Sequence, residues 1–464
     1  MSAPKAISPY RLSSLLRRQK DPNLALQLFQ NPNPQIQSPE PQKPFRHSLL
    51  SYDIIITKLG RAKMFDQMDQ ILSQLKEETR FVPREIIFCN VISFYGRARL
   101  PDRALKLFDE MPAFRCRRTV KSYNSVMDTL LKCSDFEKMR EFFAGFESKV
   151  TPDACTYNIL INACCKRGCL DDAWNVFDEM RRKRVRPNAV TFGTLVHGLC
   201  ANSKLEEALN LKEDMLRVYE VKPDASVYAS LMKELSRAGE LSLTLGLKEE
   251  MEREGIKLDS GVYTTLISAN FKVGRKEEAF RILEEMRVSG CKPDTVTYNA
   301  MIHGLCMEKD FEAACKMLDQ IGEQGCKPDI ISYNIIIGGL CKEGKWVEAN
   351  DLFEDLPRRG CKRDVLSYRT IFDGLCGCKR FKEAALILDE MVFKGYAPSA
   401  LSAQKLVGEL CREGNMEELL WKVLTVLGNA NLIDVNSWGL VISKACKKGM
   451  VSNVCELVDT LIVQ

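Results

Sequence analysis

Amide and carboxylate side chains recur in this chain at a fixed spacing. Residues 292–306 read KPDTVTYNAMIHGLC and residues 327–341 read KPDIISYNIIIGGLC, so an Asp and a Tyr-Asn pair return after 35 residues. A side-chain amide both donates and accepts hydrogen bonds, whereas a carboxylate only accepts them. The chemistry open to this recurring set is hydrogen-bond recognition, and it requires elements that present each copy in the same way.

Groups suited to catalysis are sparse in the sequence. The chain has three histidines, His47, His197 and His303, and it has no glycine-rich phosphate loop. Acidic pairs such as Glu284 and Glu285 fall in a helical pattern, where a solvated helix face accounts for them. We therefore predict that the chain is not an enzyme and that it uses no cofactor and no metal.

The cysteines follow the same period as the amide and carboxylate residues. Seven of the nineteen share one repeat position: Cys165, Cys200, Cys306, Cys341, Cys376, Cys411 and Cys446. Cys291, Cys326 and Cys361 share a second position. This spacing is unlike that of zinc ligands, and free cysteine commonly packs as a small buried hydrophobe. The pattern predicts reduced core cysteines and a reducing compartment.

Chain length and net charge do not identify the fold or the binding partner of the protein. A chain of 464 residues would fill roughly two to four globular domains, unless it is a solenoid in which each unit packs on its neighbours. Lys and Arg number 67 against 62 Asp and Glu, and this excess is too small to establish a nucleic-acid partner. A case for nucleic acid must rest on where the charges lie.

The period divides most of the chain into repeats, if position 1 is the residue after each Pro-Asp-like pair. Eleven repeats are predicted at 49–85, 86–119, 120–153, 154–188, 189–224, 225–259, 260–294, 295–329, 330–364, 365–399 and 400–434, with a truncated repeat or cap at 435–464. In repeat 295–329, Tyr298, Met301 and Leu305 and then Phe311 and Leu318 follow helical spacing, which predicts two helices. One short helical hairpin cannot bury its apolar face alone, so the repeats are expected to stack and form an inner groove.

The N-terminal segments have a different composition. Residues 1–30 are basic, with Arg11, Arg17 and Arg18 and no acidic residue before Asp21, and we predict a transit peptide there. The alternative is a basic helix that caps the solenoid. Residues 31–48 are rich in proline and are interpreted as a linker. The sequence contains no run of about 18 apolar residues, so no membrane span is expected.

The recurring pattern of VTYN, a hydrophobic pair, GLCK, EA, EM and GCKPD resembles the pentatricopeptide repeat, and the uniform 35-residue length resembles its P class. The resemblance covers the chain from residue 49 onward. It implies an all-α, right-handed superhelical solenoid of stacked antiparallel helix pairs. It also implies a plant organellar protein that binds single-stranded RNA and reads one base per repeat.

The resemblance places the base-reading side chains at positions 5 and 35. An Asp there would accept the imino N–H of uracil or guanine, and an Asn would donate to the ring nitrogen of cytosine or adenine. The implied readers are Asn124 with Asp153 for uracil, Asn158 with Asn188 for cytosine, Thr264 with Asp294 for guanine, and Asn299 with Asp329 and Asn334 with Asp364 for uracil. The irregular pairs are Arg369 with Ser399, Gln404 with Asp434, Asn90 with Thr119, and Asp53 with Glu85.

Two further positions are implied to contact RNA. Position 2 carries side chains that would wedge between bases, namely Cys155, Val190, Val296, Ile331 and Leu366. Position 13 carries side chains that would face phosphates, namely Lys132, Lys166, Arg237, Lys272, Lys342, Arg412 and Lys447. The alternatives are core packing for the first set and ordinary solvated side chains for the second.

These observations predict a sequence-specific RNA-binding protein that acts by occupancy in the stabilisation, processing, splicing or translation of organellar transcripts. The expected partner is single-stranded organellar RNA, with other RNA-processing or ribosomal proteins as further candidates, and the expected state is a monomer. We expect a mitochondrial location, with the chloroplast as the alternative. The rival function is a protein–protein scaffold, such as a structural subunit of an organellar ribosome. No H-x-E with a downstream C-x-x-C is present, so the deaminase domain of some relatives is not expected.

Overall fold

The structure is a computed structural model that describes residues 7–32, 45–146, 150–323, 326–412, 417–429 and 439. Within these residues the ordered elements are helices, with no strand. The chain divides into two compact units, Met1–Val227 and Tyr228–Gln464. Most of the predicted linker and nearly all of the predicted truncated repeat at 435–464 lie outside the described residues.

The first unit contains six helix pairs. They are α1 (Pro9–Arg18), α2 (Pro22–Gln30), α3 (Leu49–Arg61), α4 (Phe65–Glu77), α5 (Glu85–Arg97), α6 (Pro101–Glu110), α7 (Val120–Cys133), α8 (Phe136–Phe146), α9 (Ala154–Lys166), α10 (Leu170–Arg182), α11 (Ala189–Ala201) and α12 (Leu205–Arg217). A short 3-10 helix, Met111–Phe114, follows α6.

The described residues of the second unit form six more pairs, although α13 begins just before the boundary. They are α13 (Ala225–Ala238), α14 (Leu241–Arg253), α15 (Ser260–Lys272), α16 (Lys276–Val288), α17 (Thr295–Met307), α18 (Phe311–Glu323), α19 (Ile330–Lys342), α20 (Trp346–Asp355), α21 (Val365–Gly377), α22 (Phe381–Phe393), α23 (Ala400–Arg412) and α24 (Glu417–Asn429). The odd-numbered helices are called first helices, and the even-numbered helices are called second helices.

First helices begin at position 1 because the preceding residue caps them. Asp153, Asn188 and Asp294 each accept a hydrogen bond from the backbone N–H three residues on, at 2.9, 3.0 and 2.8 Å. These bonds satisfy backbone donors that have no partner within the helix. The Pro that precedes many of these caps cannot continue the previous helix, so the Pro-Asp pair separates one repeat from the next.

The core lies between successive helix pairs. Position 4 of the first helices from α3 to α21 places an aromatic ring there, as at Tyr157 and Tyr298, and position 8 adds an apolar side chain such as Ile161. Small and flexible side chains of the second helices, such as Ala173 and Met180, are fully buried opposite them. A first helix contacts its own second helix and the next first helix, as α17 contacts α18 and α19.

Successive first helices approach closely where a large and a small side chain meet. A Cβ added at Gly304, position 10 of α17, would overlap the ring of Phe271 at position 12 of α15. Cys165, Cys306 and Cys341 occupy the same position as Phe271. They face Gly198, Gly339 and Gly374 in the same way. Glycine is required at position 10 because a larger side chain would overlap the residue at position 12 of the preceding first helix. The backbone conformation there does not require it.

The prediction of core cysteines is confirmed for the position shared by Cys165, Cys200, Cys306, Cys341 and Cys376, which are all buried. Cys411 is half-buried, and Cys446 lies outside the described residues. Burial raises the pKa of the Cys306 thiol to about 12, so it stays protonated at neutral pH. No disulfide joins the cysteines within the described residues.

The second repeat begins one residue earlier than the sequence predicts. Helix α5 starts at Glu85, and this places the buried Phe88 at the aromatic position 4. Position 5 is therefore the buried Cys89, whereas Asn90 is exposed. The predicted boundaries at 85 and 86 shift to 84 and 85, because the buried ring sets the register and no Pro-Asp pair marks this boundary.

The N-terminal segment forms a helix pair that packs on α3. Leu12 and Leu16 of α1 and Phe29 of α2 are fully buried. The hydroxyls of Ser13 and Ser51 are 2.9 Å apart. This packing fits the alternative interpretation of a basic cap for residues 7–32, and an import signal stays a prediction. No helix in the described part of the chain has the length and apolar character needed to cross a membrane.

We predict that Gly304→Ala lowers the free energy of unfolding by about 1–3 kcal/mol, because the new methyl group overpacks the Phe271 contact. Gly246→Ala is the matched control, since this glycine lies inside α14 and a Cβ added there would meet no neighbouring atom within 4 Å. That control should raise stability by up to about 1 kcal/mol through helix propensity. Denaturant unfolding followed by circular dichroism measures both, and equal effects would contradict the close approach.

Candidate nucleic-acid interface

The side chains predicted at positions 5 and 35 meet at the start of the next first helix. Asn124 donates from Nδ2 to Oδ1 of Asp153 at 3.0 Å. Thr156 donates its hydroxyl to Oδ1 of Asn124 at 2.8 Å, and its backbone N–H donates to Oδ1 of Asp153 at 2.9 Å. Because Asp153 is the N-cap of α9, a single network starts the helix and orients both predicted reading residues.

The pair in repeat 295–329 has the same arrangement. Asn299 donates to Oδ1 of Asp329 at 3.4 Å, and the Ser332 hydroxyl donates to Oδ1 of Asn299 at 2.6 Å. In both networks the Asp Oδ1 serves the helix cap, the position-5 amide uses one N–H, and its oxygen is paired. The second carboxylate oxygen and the second amide hydrogen have no partner among the described side chains, so each pair keeps one acceptor and one donor available.

The guanine pair predicted at Thr264 and Asp294 is joined indirectly. The hydroxyls of Thr264 and Thr297 are 3.1 Å apart, and Thr297 donates to Oδ1 of Asp294 at 2.9 Å. The shorter threonine at position 5 therefore reaches the cap through the hydroxyl at position 3. Ser260 also contacts Oδ2 of Asp294 at 3.4 Å.

Two predicted pairs are not joined by a hydrogen bond within the described residues. Asn188 caps α11 through Thr191, while the buried Oδ1 of Asn158 has no partner. Asp364 caps α21, yet both amide atoms of Asn334 are buried without a partner, and the residue is 7% exposed. An unpaired buried amide costs about 1–3 kcal/mol, so a ligand that bonds to Asn334 would recover that energy.

The hydroxyl at position 3 is a functional candidate that the sequence interpretation missed. Thr156, Thr191, Thr297, Ser332 and Ser367 are fully buried beside the caps. Four of them form capping boxes, in which the N-cap side chain and the position-3 hydroxyl bond reciprocally, at Asp153, Asn188, Asp329 and Asp364. Thr297 donates its hydroxyl to Oδ1 of Asp294 without the reciprocal bond. The spacing of Asp or Asn three residues before Ser or Thr was a readable signal, because it is a known helix-start pattern.

The capping bonds also keep the carboxylates ionised. Partial burial opposes ionisation of Asp153, but hydrogen bonds from Thr156 and Asn124 outweigh it and hold the pKa below its usual value. Burial likewise opposes ionisation of Asp294, and bonds from Thr297 and Ser260 lower its pKa. Both groups therefore contribute stability above the unfolded-state pKa, and this is lost as the pH falls through the folded-state pKa.

The predicted wedge residues are on the surface and not in the core. Val190, Val296, Ile331 and Leu366 are between 50% and 64% exposed, and Cys155 is also exposed. Each lies at position 2, one turn before position 5 on the same helix. Single exposed apolar residues are ordinary, but a recurring row next to unpaired polar groups indicates a binding surface.

The predicted phosphate-facing residues at position 13 are exposed, but several are already paired. Lys132 pairs with Asp128, Arg237 with Glu234, and Arg412 with Glu409 on the same helices. Lys272 donates to the backbone oxygen of Ser236 at 3.0 Å. Lys166 and Lys342 have no ion pair within the described residues, and Lys447 lies outside them. The row therefore offers less free positive charge than its composition indicates.

Position 9 belongs to the same surface as position 13. His197 and His303 lie there, and both are exposed. Partial burial lowers the pKa of His303, and the charges of Lys342 and Lys272 lower it further. Position-13 residues of the preceding and following repeats therefore lie within electrostatic range of one position-9 side chain. The described residues contain no group of three metal-ligating side chains.

Two irregular repeats use their predicted reading residues for other contacts. Glu85 lies at position 1 of α5, and its carboxylate accepts hydrogen bonds from the backbone and hydroxyl of Thr119 and from the backbone of Ser122. Arg369 donates to the backbone oxygen of Ala397 at 3.1 and 3.0 Å. Glu85 thus bonds to the start of the next repeat, whereas Arg369 bonds to the loop that ends its own repeat.

Family comparison matches the repeats directly. The PPR repeat family model matches residues 152–201, 258–307, 293–342 and 328–377. A second model, the PPR repeat, matches residues 86–116, 190–218 and 366–396. Together the two models cover just over half of the chain.

Curated relatives come from Arabidopsis thaliana. A pentatricopeptide repeat-containing protein is 59% identical over 184 residues, which is 40% of this chain and 39% of the relative. A pentatricopeptide repeat-containing protein named as mitochondrial is 27% identical over 38% of this chain and 32% of its own length. The small ribosomal subunit protein mS78 is 30% identical over 38% of this chain and 44% of its own. The chain thus spans less than half of each of these relatives.

Among solved structures, the pentatricopeptide repeat protein PPR10 from maize matches 99% of this chain and 80% of its own. The sequence identity is 20% and the TM-score is 0.39.

We predict that Thr156→Val lowers the free energy of unfolding by about 1–3 kcal/mol, because it leaves the buried Oδ1 of Asn124 and the backbone N–H of Asp153 unpaired. Thr194→Val is the control, since its hydroxyl bonds only to the backbone oxygen of Val190 in its own helix. The control should change stability by less than about 0.5 kcal/mol. Chemical denaturation measures the free energy of unfolding of both variants. If Thr156→Val lowers it no more than Thr194→Val does, the position-3 hydroxyl is not needed for stability.

Proposed function

Because the chain belongs to the pentatricopeptide repeat family, we propose that it binds single-stranded RNA through positions 2, 5 and 35 of successive repeats. The uniform 35-residue spacing supports a place in the P class. The protein acts by occupancy in organellar RNA metabolism, without catalysing a reaction. Its occupancy protects, opens or presents a transcript for stabilisation, processing, splicing or translation, and the protein works as a monomer.

The observation that carries this proposal is the shared network of Asn299, Asp329 and Ser332. Helix capping uses one carboxylate oxygen, so the other oxygen is held in a fixed direction and cannot rotate away. The amide retains one N–H beside it. A donor and an acceptor held side by side match the adjacent carbonyl and imino N–H on the Watson–Crick edge of uracil.

The same hydrogen-bonding rules assign base preferences to the other pairs at positions 5 and 35. Asn188 replaces the carboxylate with an amide while keeping the cap through its Oδ1, so its remaining group is a donor suited to cytosine. Thr264 is shorter than Asn and leaves room for a purine above Asp294. Gly193 and Ala229 lack a polar group at position 5, and their repeats accept any base. The core preference is U-C-N-N-G-U-U, read 5′ to 3′ along the chain.

Exposed apolar residues at position 2 complete several of these sites. Val296 and Ile331 are 64% and 50% exposed, and they lie at the start of the helices whose caps hold the reading residues. An aliphatic side chain between two bases is shielded from water on both faces, which offsets the cost of unstacking those bases. Lys166 and Lys342 at position 13 add phosphate contacts, and the paired members of that row contribute less.

A second candidate function is a structural role in an organellar ribosome. The similarity to the small ribosomal subunit protein mS78 favours it. The irregular repeats fit such a role, because Glu85 and Arg369 already bond to backbone or side-chain groups of the protein. Sequence-selective binding of free RNA by the isolated protein separates the two functions, since a scaffold does not require it.

The proposed location is the mitochondrion, with the chloroplast as the alternative. Basic residues of the N-terminal segment and the mitochondrial name of one relative support it. A reporter carrying residues 1–60 should enter an organelle, because Arg11, Arg17 and Arg18 lie on an amphipathic helix without acidic residues. Fluorescence microscopy measures this. A cytosolic reporter would contradict the import signal, and a plastid signal would correct the organelle.

We predict that Asp329→Asn moves base preference from uracil to cytosine at one RNA position. The amide keeps the helix cap, as Asn188 does, but it presents a donor where the carboxylate presented an acceptor. A base-specific contact is worth about 1–3 kcal/mol, so the preference should change by roughly tenfold or more. The measurement is the affinity for U-C-N-N-G-U-U probes that carry U or C at the sixth letter.

Asp259→Asn is the matched control for this switch. Asp259 also caps a first helix, through Val262 at 2.9 Å, but its repeat has Ala229 at position 5. The control should leave discrimination at the sixth letter unchanged. If the Asp329→Asn variant loses affinity for both probes equally, or keeps the wild-type affinity for both, the pair Asn299 and Asp329 has a structural role. That result would favour the protein–protein scaffold as the function.

A further inference from the structure

A second row of basic side chains lies two residues before the N-cap of the first helices. We call its members the loop cations: Arg117, Arg186, Lys222, Lys257, Lys292, Lys327 and Lys362. All seven are exposed. Unlike half of the position-13 row, none of them forms an ion pair with another residue in the described part of the chain. Their positive charge is therefore available to a ligand.

Neighbouring members of this row lie on adjacent loops. The thiol of Cys326 contacts the backbone oxygen of Pro293 at 3.6 Å, and the thiol of Cys361 contacts that of Pro328 at 3.9 Å. Each contact joins one loop to the loop of the preceding repeat. Lys292, Lys327 and Lys362 are next to these contact residues in sequence, so one cation follows another along a single edge of the second unit.

In two of these loops the residue after the loop cation is also basic, and its side chain packs against the protein. Arg363 packs over Phe353 with its guanidinium 4.4 Å from the ring centre, and its side chain is 12% exposed. Arg118 packs over Phe108 at 4.5 Å and bonds to the backbone oxygen of Asp109. Lys362 and Arg117, one residue earlier, have no such contact. The loop thus uses one basic side chain for packing and leaves the adjacent one in solvent.

The loop cations also lie beside the reading carboxylates. The residue between them is Pro in four repeats, at 187, 223, 293 and 328, and a residue that precedes Pro is held in an extended conformation. In an extended segment, residues two apart project to the same side. Lys292 and Asp294, and Lys327 and Asp329, therefore project together. The residue between is half-buried, in keeping with this alternation.

A polyanion that approaches a row of ionised carboxylates is repelled unless cations lie nearby. Asp294 has a lowered pKa and is ionised at neutral pH. A lysine on the same side of the segment offsets that repulsion and attracts the phosphate that belongs to the base being read. Among the described first helices, six have an Asp cap. Five of these caps, at 224, 259, 294, 329 and 364, have a lysine two residues earlier, whereas Asp153 has Thr151 at that position.

We propose that the loop cations bind the phosphates of the RNA, one per repeat, so that the RNA backbone follows the loop edge next to the reading residues. This inference rests on the proposed function and adds a contact surface to it. Val82, Thr151 and Ala397 mark the repeats in which the phosphate contact is missing. The Lys of each Lys-Pro-Asp was the sequence signal for this row.

The test replaces Lys257, Lys292, Lys327 and Lys362 together by Gln in the full chain. The control replaces the same number of exposed basic residues, Arg275, Lys309, Lys345 and Lys379, by Gln. Of these, Lys309 and Lys345 pair with Glu343 and Glu348. All four residues are exposed at the corners between the two helices of a repeat, in the same unit, and their loss removes the same charge. Circular dichroism and thermal unfolding establish that both proteins are folded. The probe is a labelled RNA containing U-C-A-A-G-U-U, with a scrambled RNA beside it.

Each phosphate contact contributes about 0.7 to the slope of log affinity against log salt for a single strand. Loss of four contacts should lower the slope by about 3 and weaken binding about a hundredfold at 0.15 M salt. The two RNAs should lose affinity equally, because phosphates carry no sequence, and the control should keep the wild-type slope.

Four results would overturn the proposal. Equal losses in both variants would show a general charge effect, and an unchanged slope in the loop variant would leave the proposed function standing without this contact. Weaker binding to poly-glutamate with unchanged RNA binding would assign the row to an acidic protein partner. If the wild type binds neither RNA, the proposed function and this inference both fail.

Discussion

The Asp or Asn that caps most of the first helices is the contact on which both the fold and the proposed interface depend. Its Oδ1 must satisfy a backbone N–H group at the helix start, so the side chain cannot rotate. The remaining atom of the same side chain is thereby fixed in direction. Asn188 caps a helix as well as Asp153 does, and the two differ only in whether that remaining atom donates or accepts. Base preference can therefore change from repeat to repeat while the helix start is preserved.

Close stacking of the first helices brings the position-5 side chain to the next cap. The stacking depends on complementary volumes and not on particular residue types. Gly304 accommodates Phe271, and Gly198 accommodates Cys165, with the small residue at position 10. In the first unit the order is reversed at Gly60, at position 12, which faces Phe94 at position 10 of the next repeat. Either order lets the helices approach, so the contact survives substitution as long as one partner is small.

The small net charge hides a division of the basic residues by role. Arg363 is a packing residue over Phe353, Arg237 is neutralised by Glu234, and Lys292 is exposed without an ion pair in the described residues. Counting charges along a repeat position cannot separate these roles, because pairing depends on which acid lies one helical turn away. An exposed cation without a nearby acid contributes far more to binding an anion than a paired one.

Most of the architecture could be predicted from the sequence by itself. The 35-residue period, the two apolar helical patterns and the Pro-Asp pairs follow from local rules of helix periodicity and capping, and they give the helix bounds of regular repeats such as 295–329. The buried cysteines were predictable because their spacing excluded metal and disulfide chemistry. The start of α5 at Glu85 was missed, because that boundary has no Pro-Asp signal and is set by the burial of Phe88.

Tertiary structure decided which candidate side chains are joined and which are free. Identical residue types at identical spacing gave a hydrogen-bonded pair at Asn299 and Asp329 but a buried, unpaired amide at Asn334. Only packing placed Leu12 and Leu16 of the basic N-terminal segment in the core, although their helical pattern was visible. The physical reason is that a helix start is specified by neighbours in sequence. Pairing across repeats depends on ångström-scale positions set by how two first helices pack.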